Sequence, residues 1–118
     1  MRSVRWDDWL LVRSYHTGLK DYPERMLFDV AADPHELNDL AAAHPAVVDR
    51  GQALLEQWTA EMLAGSEYAE DPLWTVMREG GPYHTRGQLA PYCQRLRATG
   101  RAHHAAFLEA HPTGLKGR

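Results

Sequence analysis

Apolar and polar residues alternate over the N-terminal end of the chain and then recur at helical spacing. Val4-Arg5-Trp6 and the run Trp9-Leu10-Leu11-Val12-Arg13-Ser14-Tyr15 flank Asp7-Asp8, which predicts a β-hairpin within the first sixteen residues. One face of the second strand carries Trp9, Leu11, Arg13 and Tyr15, the other Leu10, Val12, Ser14 and His16. Both faces are apolar near the middle, so each side is expected to be covered. A loop from His16 to Arg25, holding Gly18 and Pro23, leads to a third strand over Met26-Leu27-Phe28-Asp29-Val30. Asp33-Pro34-His35-Glu36 predicts a helix start, with Asp33 as cap, Pro34 in the first turn and Glu36 completing a capping box. That turn is expected to end around Leu40 to Ala43. Pro45 opens the longest helix, to about Leu63, along which Val47, Leu54, Trp58 and Met62, with Val48, Leu55 and Leu63 beside them, form one apolar stripe.

The stretch from Glu67 to Gln88 is the least regular, punctuated by Gly80, Gly81, Pro82 and Gly87. Pro91 lies in the first turn of a further helix with a stripe of Leu89, Tyr92, Cys93 and Leu96, stopped by Gly100. A last short helix is expected from Arg101 to Ala110, followed by a loose tail at Pro112-Thr113-Gly114. There is no internal repeat. The expected fold is α+β: a small antiparallel sheet, hairpin plus third strand, covered by one long helix, with a C-terminal helical extension. Residues 1–64 make the sheet and helix, and 65–118 the irregular and helical remainder of the same domain.

Composition narrows the function classes. The 118 residues suit one domain, and Leu, Val and Phe supply 22 of them with no isoleucine, so the core is thin. No apolar run reaches the ~20 residues that span a bilayer, and no secretory signal is visible at Met1 to Trp9. A cytoplasmic location is expected. Cys93 is the single cysteine, which excludes an internal disulfide and a cysteine zinc site. The net charge of −3 conceals a division, because residues 1–77 hold 6 basic and 14 acidic side chains and residues 78–118 hold 7 and 2. Without aromatic residues interleaved among the basic ones, this division reads as docking between surfaces rather than as a nucleic-acid face.

The run Leu27-Phe28-Asp29-Val30-Ala31-Ala32-Asp33-Pro34-His35-Glu36-Leu37-Asn38-Asp39-Leu40 resembles a segment near the C-terminal end of type I sulfatases, in the alkaline-phosphatase superfamily. The pattern there is Leu-(Tyr/Phe)-Asp-Leu-x-x-Asp-Pro-x-Glu-x-x-Asn-Leu, and Asp39 stands where Asn is commoner. The hairpin upstream and the His44-Pro45 helix downstream agree, so the resemblance covers about residues 2–63. Read physically, the segment redirects the chain so that the long helix returns across the sheet, its acidic residues capping backbone rather than catalysing.

The resemblance implies a parent enzyme that hydrolyses sulfate esters with a formylglycine made from Cys or Ser in Cys/Ser-x-Pro-x-Arg, beside a calcium or other divalent-cation site. This chain has neither. Cys93-Gln94-Arg95-Leu96-Arg97 has Arg95 where Pro is required, and Cys93 falls on an apolar stripe, where a free cysteine acts as a small hydrophobe. Asp7-Asp8 reads as a turn rather than a metal pair. No catalytic residue, metal ligand or cofactor is therefore assigned here.

Four residues are candidates for binding an anionic sulfate-ester substrate. His16 and Lys20 end the central strand and enter a loop of the kind that borders the pocket in sulfatase-like proteins. His84 and Arg86 lie in the glycine-rich stretch from Gly80 to Gln88, where free backbone N–H groups and the start of a helix could face an anion. His103, His104 and His111 are too divergent on a helix to share a metal ion. The expected role is a C-terminal subdomain that packs on a sulfatase catalytic domain and contributes to its pocket rim without being catalytic alone, with no nucleic-acid or membrane partner. The alternatives are a free-standing interaction module and a small enzyme acting through His16, His84 and Arg86.

Overall fold

A computed structural model describes residues 1–16, 19–81 and 85–111. Its elements in chain order are β1 (Arg2–Trp6), β2 (Trp9–Arg13), β3 (Arg25–Asp29), α1 (Pro45–Ala64), α2 (Pro72–Arg78), α3 (Leu89–Ala98) and α4 (Ala102–Ala110). The fold is α+β, as the pattern predicts. The three strands form one antiparallel sheet in the order β1-β2-β3. The chain divides into two compact units, one of Met1–Ser14 with Pro23–Ala69 and the other of Tyr15–Tyr22 with Glu70–Arg118. Residues 15–22, placed by the sequence in a strand end and loop of the sheet, belong to the second unit.

In the first unit Trp6 pairs with Trp9 across the two-residue connection, where Asp7 takes a positive φ of 46° that Asp tolerates better than most residues. Strand β2 ends at Arg13 rather than at the expected Tyr15. Arg13 pairs with Arg25, Ser14 donates once more to the Glu24 carbonyl at 2.8 Å, and Pro23 beyond has no N–H to extend the ladder. Arg13 is 3% exposed and its guanidinium meets Glu24 at 2.7 Å, so the charge is not left alone in the interior.

Helix α1 packs on β1 and β2, and the core under it is Leu11, Leu27 and Val48, flanked by Val4, Trp6, Trp9, Leu40 and Val47. Gly51 lets the helix come this close. A Cβ there would lie 2.7 Å from Trp6 Cζ3, nearer still to its Cη2, and 3.0 Å from Leu11 Cδ2. The predicted stripe is buried only in part. Val48, Gly51 and Leu55 are buried, whereas Trp58 is 53% and Met62 56% exposed. The buried residues run from Val48 to Leu55, and the part of the helix beyond them overruns the short strands.

The helical turn expected at Asp33 does not form. Glu36 has a φ of 55°, which breaks the capping box, and the segment is a series of turns held by three aspartates. Asp29 Oδ1 accepts from the N–H of Ala31 and Ala32 at 3.1 and 3.0 Å. Asp33 Oδ2 accepts from the backbone N–H and side-chain amide of Asn38 at 2.8 and 3.2 Å. Asp39 Oδ1 accepts from Leu27 and Ala41 at 3.0 and 2.9 Å, while Leu40 donates to the Leu27 carbonyl at 2.8 Å. These bonds fasten the segment to β3, so its acidic residues do serve backbone N–H groups, as Asx-type turns rather than as a helix cap.

The second unit is helical. Cys93, Leu96, Ala105 and Leu108 form its core between α3 and α4, with Leu89, Tyr92 and Phe107 packed against them. Cys93 is 1% exposed and a core residue, as its place on the stripe predicts. Gly100, at φ 77°, makes the sharp turn between the two helices. Helix α2 lies in the stretch the sequence leaves irregular. Its Asp71 caps Leu73 N–H at 2.9 Å, Pro72 occupies the first turn, Met77 is buried and Trp74 meets Tyr15 edge-on at 5.6 Å.

Candidate functional site

The end of α2 shapes the principal site. Gly80 and Gly81 have φ of 91° and 85°, with Gly80 N–H bonded to the Met77 carbonyl at 3.1 Å and Gly81 N–H to that of Val76 at 2.9 Å. This is the Schellman pair of bonds that closes a helix C-terminus. The two glycine N–H groups are therefore spent on the helix end and do not face an anion, which is where the structure departs from the cradle expected of the Gly-Gly pair.

The turn brings Arg86 back over the helix end. Its Nε donates to the Gly81 carbonyl at 3.0 Å and its Nη2 to Glu79 Oε2 at 2.8 Å. Gly81 is buried against His16, for a Cβ on it would lie 2.6 Å from Cε1 and 3.1 Å from Nδ1 of the imidazole. Burial pushes the His16 imidazole below its ordinary value, so near neutral pH it is uncharged, with one ring nitrogen a donor and the other an acceptor. His16, Glu79, Thr85 and Arg86 line an open cleft of about 200 Å³, with Leu19 and Leu89 as its apolar wall.

The structure thus brings two of the four predicted binding residues, His16 and Arg86, to one cleft. Lys20 is exposed and lines a separate cleft, and His84 lies outside the described residues. Nothing in Glu79-Gly80-Gly81 announces a turn that returns Arg86 to Glu79, so the sequence alone does not point to this carboxylate. With Glu79 ion-paired to Arg86 and His16 neutral, the cleft has no surplus positive charge. An anion entering it competes with Glu79 for the guanidinium, whereas His16 can exchange one hydrogen bond with a neutral or anionic group.

Among the described residues no group of three or more His, Cys, Asp or Glu side chains is placed to hold a metal ion, and no helix is long and apolar enough to cross a membrane. No protein-family profile, curated protein or solved structure matches the chain.

Proposed function

We propose that this chain is the C-terminal subdomain of a sulfatase-like hydrolase of sulfate esters, packing on a catalytic domain and lending His16 and Arg86 to the rim of its pocket. The carrying observation is the Leu27 to Leu40 segment, in which Asp29, Asp33 and Asp39 all accept from backbone N–H groups. A segment of that kind builds a scaffold. The second support is the end of α1, where Trp58 and Met62, one turn apart, stand more than half exposed. Two large apolar side chains on one helix face are surface suited to burial by a partner. The nucleophile and the divalent cation of the parent enzyme would both be held by its catalytic domain, and no step of hydrolysis is assigned to this chain.

The test is the coding DNA directly upstream. A Cys/Ser-x-Pro-x-Arg segment followed by carboxylate-rich metal motifs, in the same or a shifted frame, is the expected finding. Unrelated sequence there would overturn the reading in favour of a free-standing interaction module, which the division between an acidic first part and a basic second part would then serve. The purified chain is expected to bind a hydrophobic dye at the α1 face, and the double variant Trp58→Glu/Met62→Glu to lose that binding.

A further inference from the structure

The second unit holds another cleft, of about 210 Å³, between residues 19–22 and helices α3 and α4. Its floor is made by Leu96 and Leu108, each 3% exposed and part of the helical core, so the site rests on fixed side chains. Two tyrosines, Tyr22 and Tyr92, line the same cleft. The Arg95 guanidinium carbon lies 5.7 Å from the centre of the Tyr92 ring, within cation–π reach. Lys20 and Arg101 line the cleft too, with Asp21 the one carboxylate and His104 on the α4 side.

The charges differ from those of the first cleft. There Glu79 matches Arg86, whereas here Arg101 donates from Nε and Nη2 to Thr99 Oγ1 at 3.2 and 3.0 Å and meets no carboxylate among the described residues. The Thr99 hydroxyl holds the guanidinium while leaving its remaining N–H groups for a ligand. Lys20 likewise has no ion pair among the described residues. Lys20 and Arg101 thus bring two cations to a lining in which Asp21 is the one carboxylate among the described residues. A cavity this size lies below the about 300–1,000 Å³ of drug-sized pockets, so it takes a single ring and little more.

We propose that this cleft binds a small aromatic carboxylate, with the ring against Tyr22 and Tyr92 and the carboxylate on Arg101 and Lys20. Tyrosine rings favour a flat π face, offset or edge-on. The planar guanidinium fork matches a planar carboxylate. The site stands apart from the sulfatase reading, since its ligand is bound whatever lies upstream of the chain.

The test titrates the full isotope-labelled chain with benzoate and follows backbone amide shifts by NMR. Saturable shifts are expected at Lys20 to Tyr22 and around Tyr92 and Arg101. Arg101→Gln, at an exposed position whose side chain bonds only Thr99 among the described residues, is expected to weaken binding by about tenfold, the loss of one charge-assisted contact. Cyclohexanecarboxylate and phenyl phosphate are expected to bind more weakly than benzoate. Absence of saturable shifts up to the solubility limit of benzoate, shifts clustered elsewhere, or binding undiminished in a folded Arg101→Gln would overturn the site. Tighter binding of phenyl phosphate would overturn the carboxylate assignment, and equal binding of cyclohexanecarboxylate the role of the tyrosine rings.

Discussion

The path from β3 to α1 in the first unit and the helix surfaces of the second use their carboxylates differently. In the first, Asp29, Asp33 and Asp39 accept from backbone N–H groups and fix the path from β3 to α1. In the second, carboxylates pair with arginines: Glu70 with Arg78 at 2.9 Å, Glu79 with Arg86 at 2.8 Å and Glu109 with Arg97 at 2.9 Å. Helices satisfy their own backbone, so charged residues there are free to pair across the surface. Turns cannot, and their N–H groups must be met by short side chains. The first arrangement is specific to one chain path, while the second contributes little and yields to salt.

Glycines sharpen the same contrast. Gly51 in α1 is required by space, Gly100 between α3 and α4 by its φ of 77°, with nothing within 4 Å of a Cβ there. Helix propensity alone would make Gly51→Ala stabilising by about 1 kcal/mol. Against that, the new methyl must displace the Trp6 ring in a packed core, an overpacking cost of about 1–3 kcal/mol. The expected outcome is a net loss with a lowered melting temperature, restored in part by Trp6→Leu in the double variant. A melting temperature that rises in Gly51→Ala would show that α1 does not lie this close to β1.

Two Asp-Pro pairs show how much of this was legible. Asp33-Pro34 and Asp71-Pro72 carry the same local helix-start signal, yet the helix follows the second and not the first. After Pro72 come Leu73, Trp74, Val76 and Met77, of which Met77 is buried and Trp74 meets Tyr15. After Pro34 come His35, Glu36, Leu37 and Asn38, all exposed, with Leu37 at 78%. A cap does not sustain a short helix without an apolar face to bury, because nucleation is costly. The strands, α3 and the N-terminal part of α1 were readable because their periodicity and their burial agree, and α4 because Gly100 stops the helix before it. In the cleft His16 and Arg86 were readable as residue types, but their meeting depends on the Gly80-Gly81 helix end, and the separation of Lys20 from them depends on the path of residues 19–22. Neither leaves a periodic trace in the sequence.

Asp39 tests the turn segment of the same unit. Asp39→Ala removes the acceptor for two N–H groups, one of them that of the wholly buried Leu27, and is expected to cost about 1–3 kcal/mol in denaturant unfolding. Asp39→Asn keeps the Oδ1 acceptor and is expected to be nearly neutral, in line with the asparagine commoner at this place in the pattern that the segment resembles. Equal losses in the two variants would mean that the negative charge, not the acceptor geometry, holds the turn.

The smallest effect separates the two units most cleanly. Asp33 and Glu109 both titrate below the ordinary carboxylate range, Asp33 because the Asn38 N–H donates to its ionised form and Glu109 because the Arg97 guanidinium does. A depressed folded value means that each contributes its stability above the ordinary carboxylate range and loses it as pH falls through the folded value. Their response to salt differs in kind. Molar salt screens the exposed Arg97–Glu109 pair but leaves an amide hydrogen bond largely intact. In an NMR titration of the side-chain carboxyl carbons, Glu109 is therefore expected to move up toward its ordinary value in high salt while Asp33 stays low. If both rise together, Asp33 is held by the net field of the surrounding charge rather than by the Asn38 bond, and the distinction between backbone-fastened and charge-paired carboxylates fails at its clearest point.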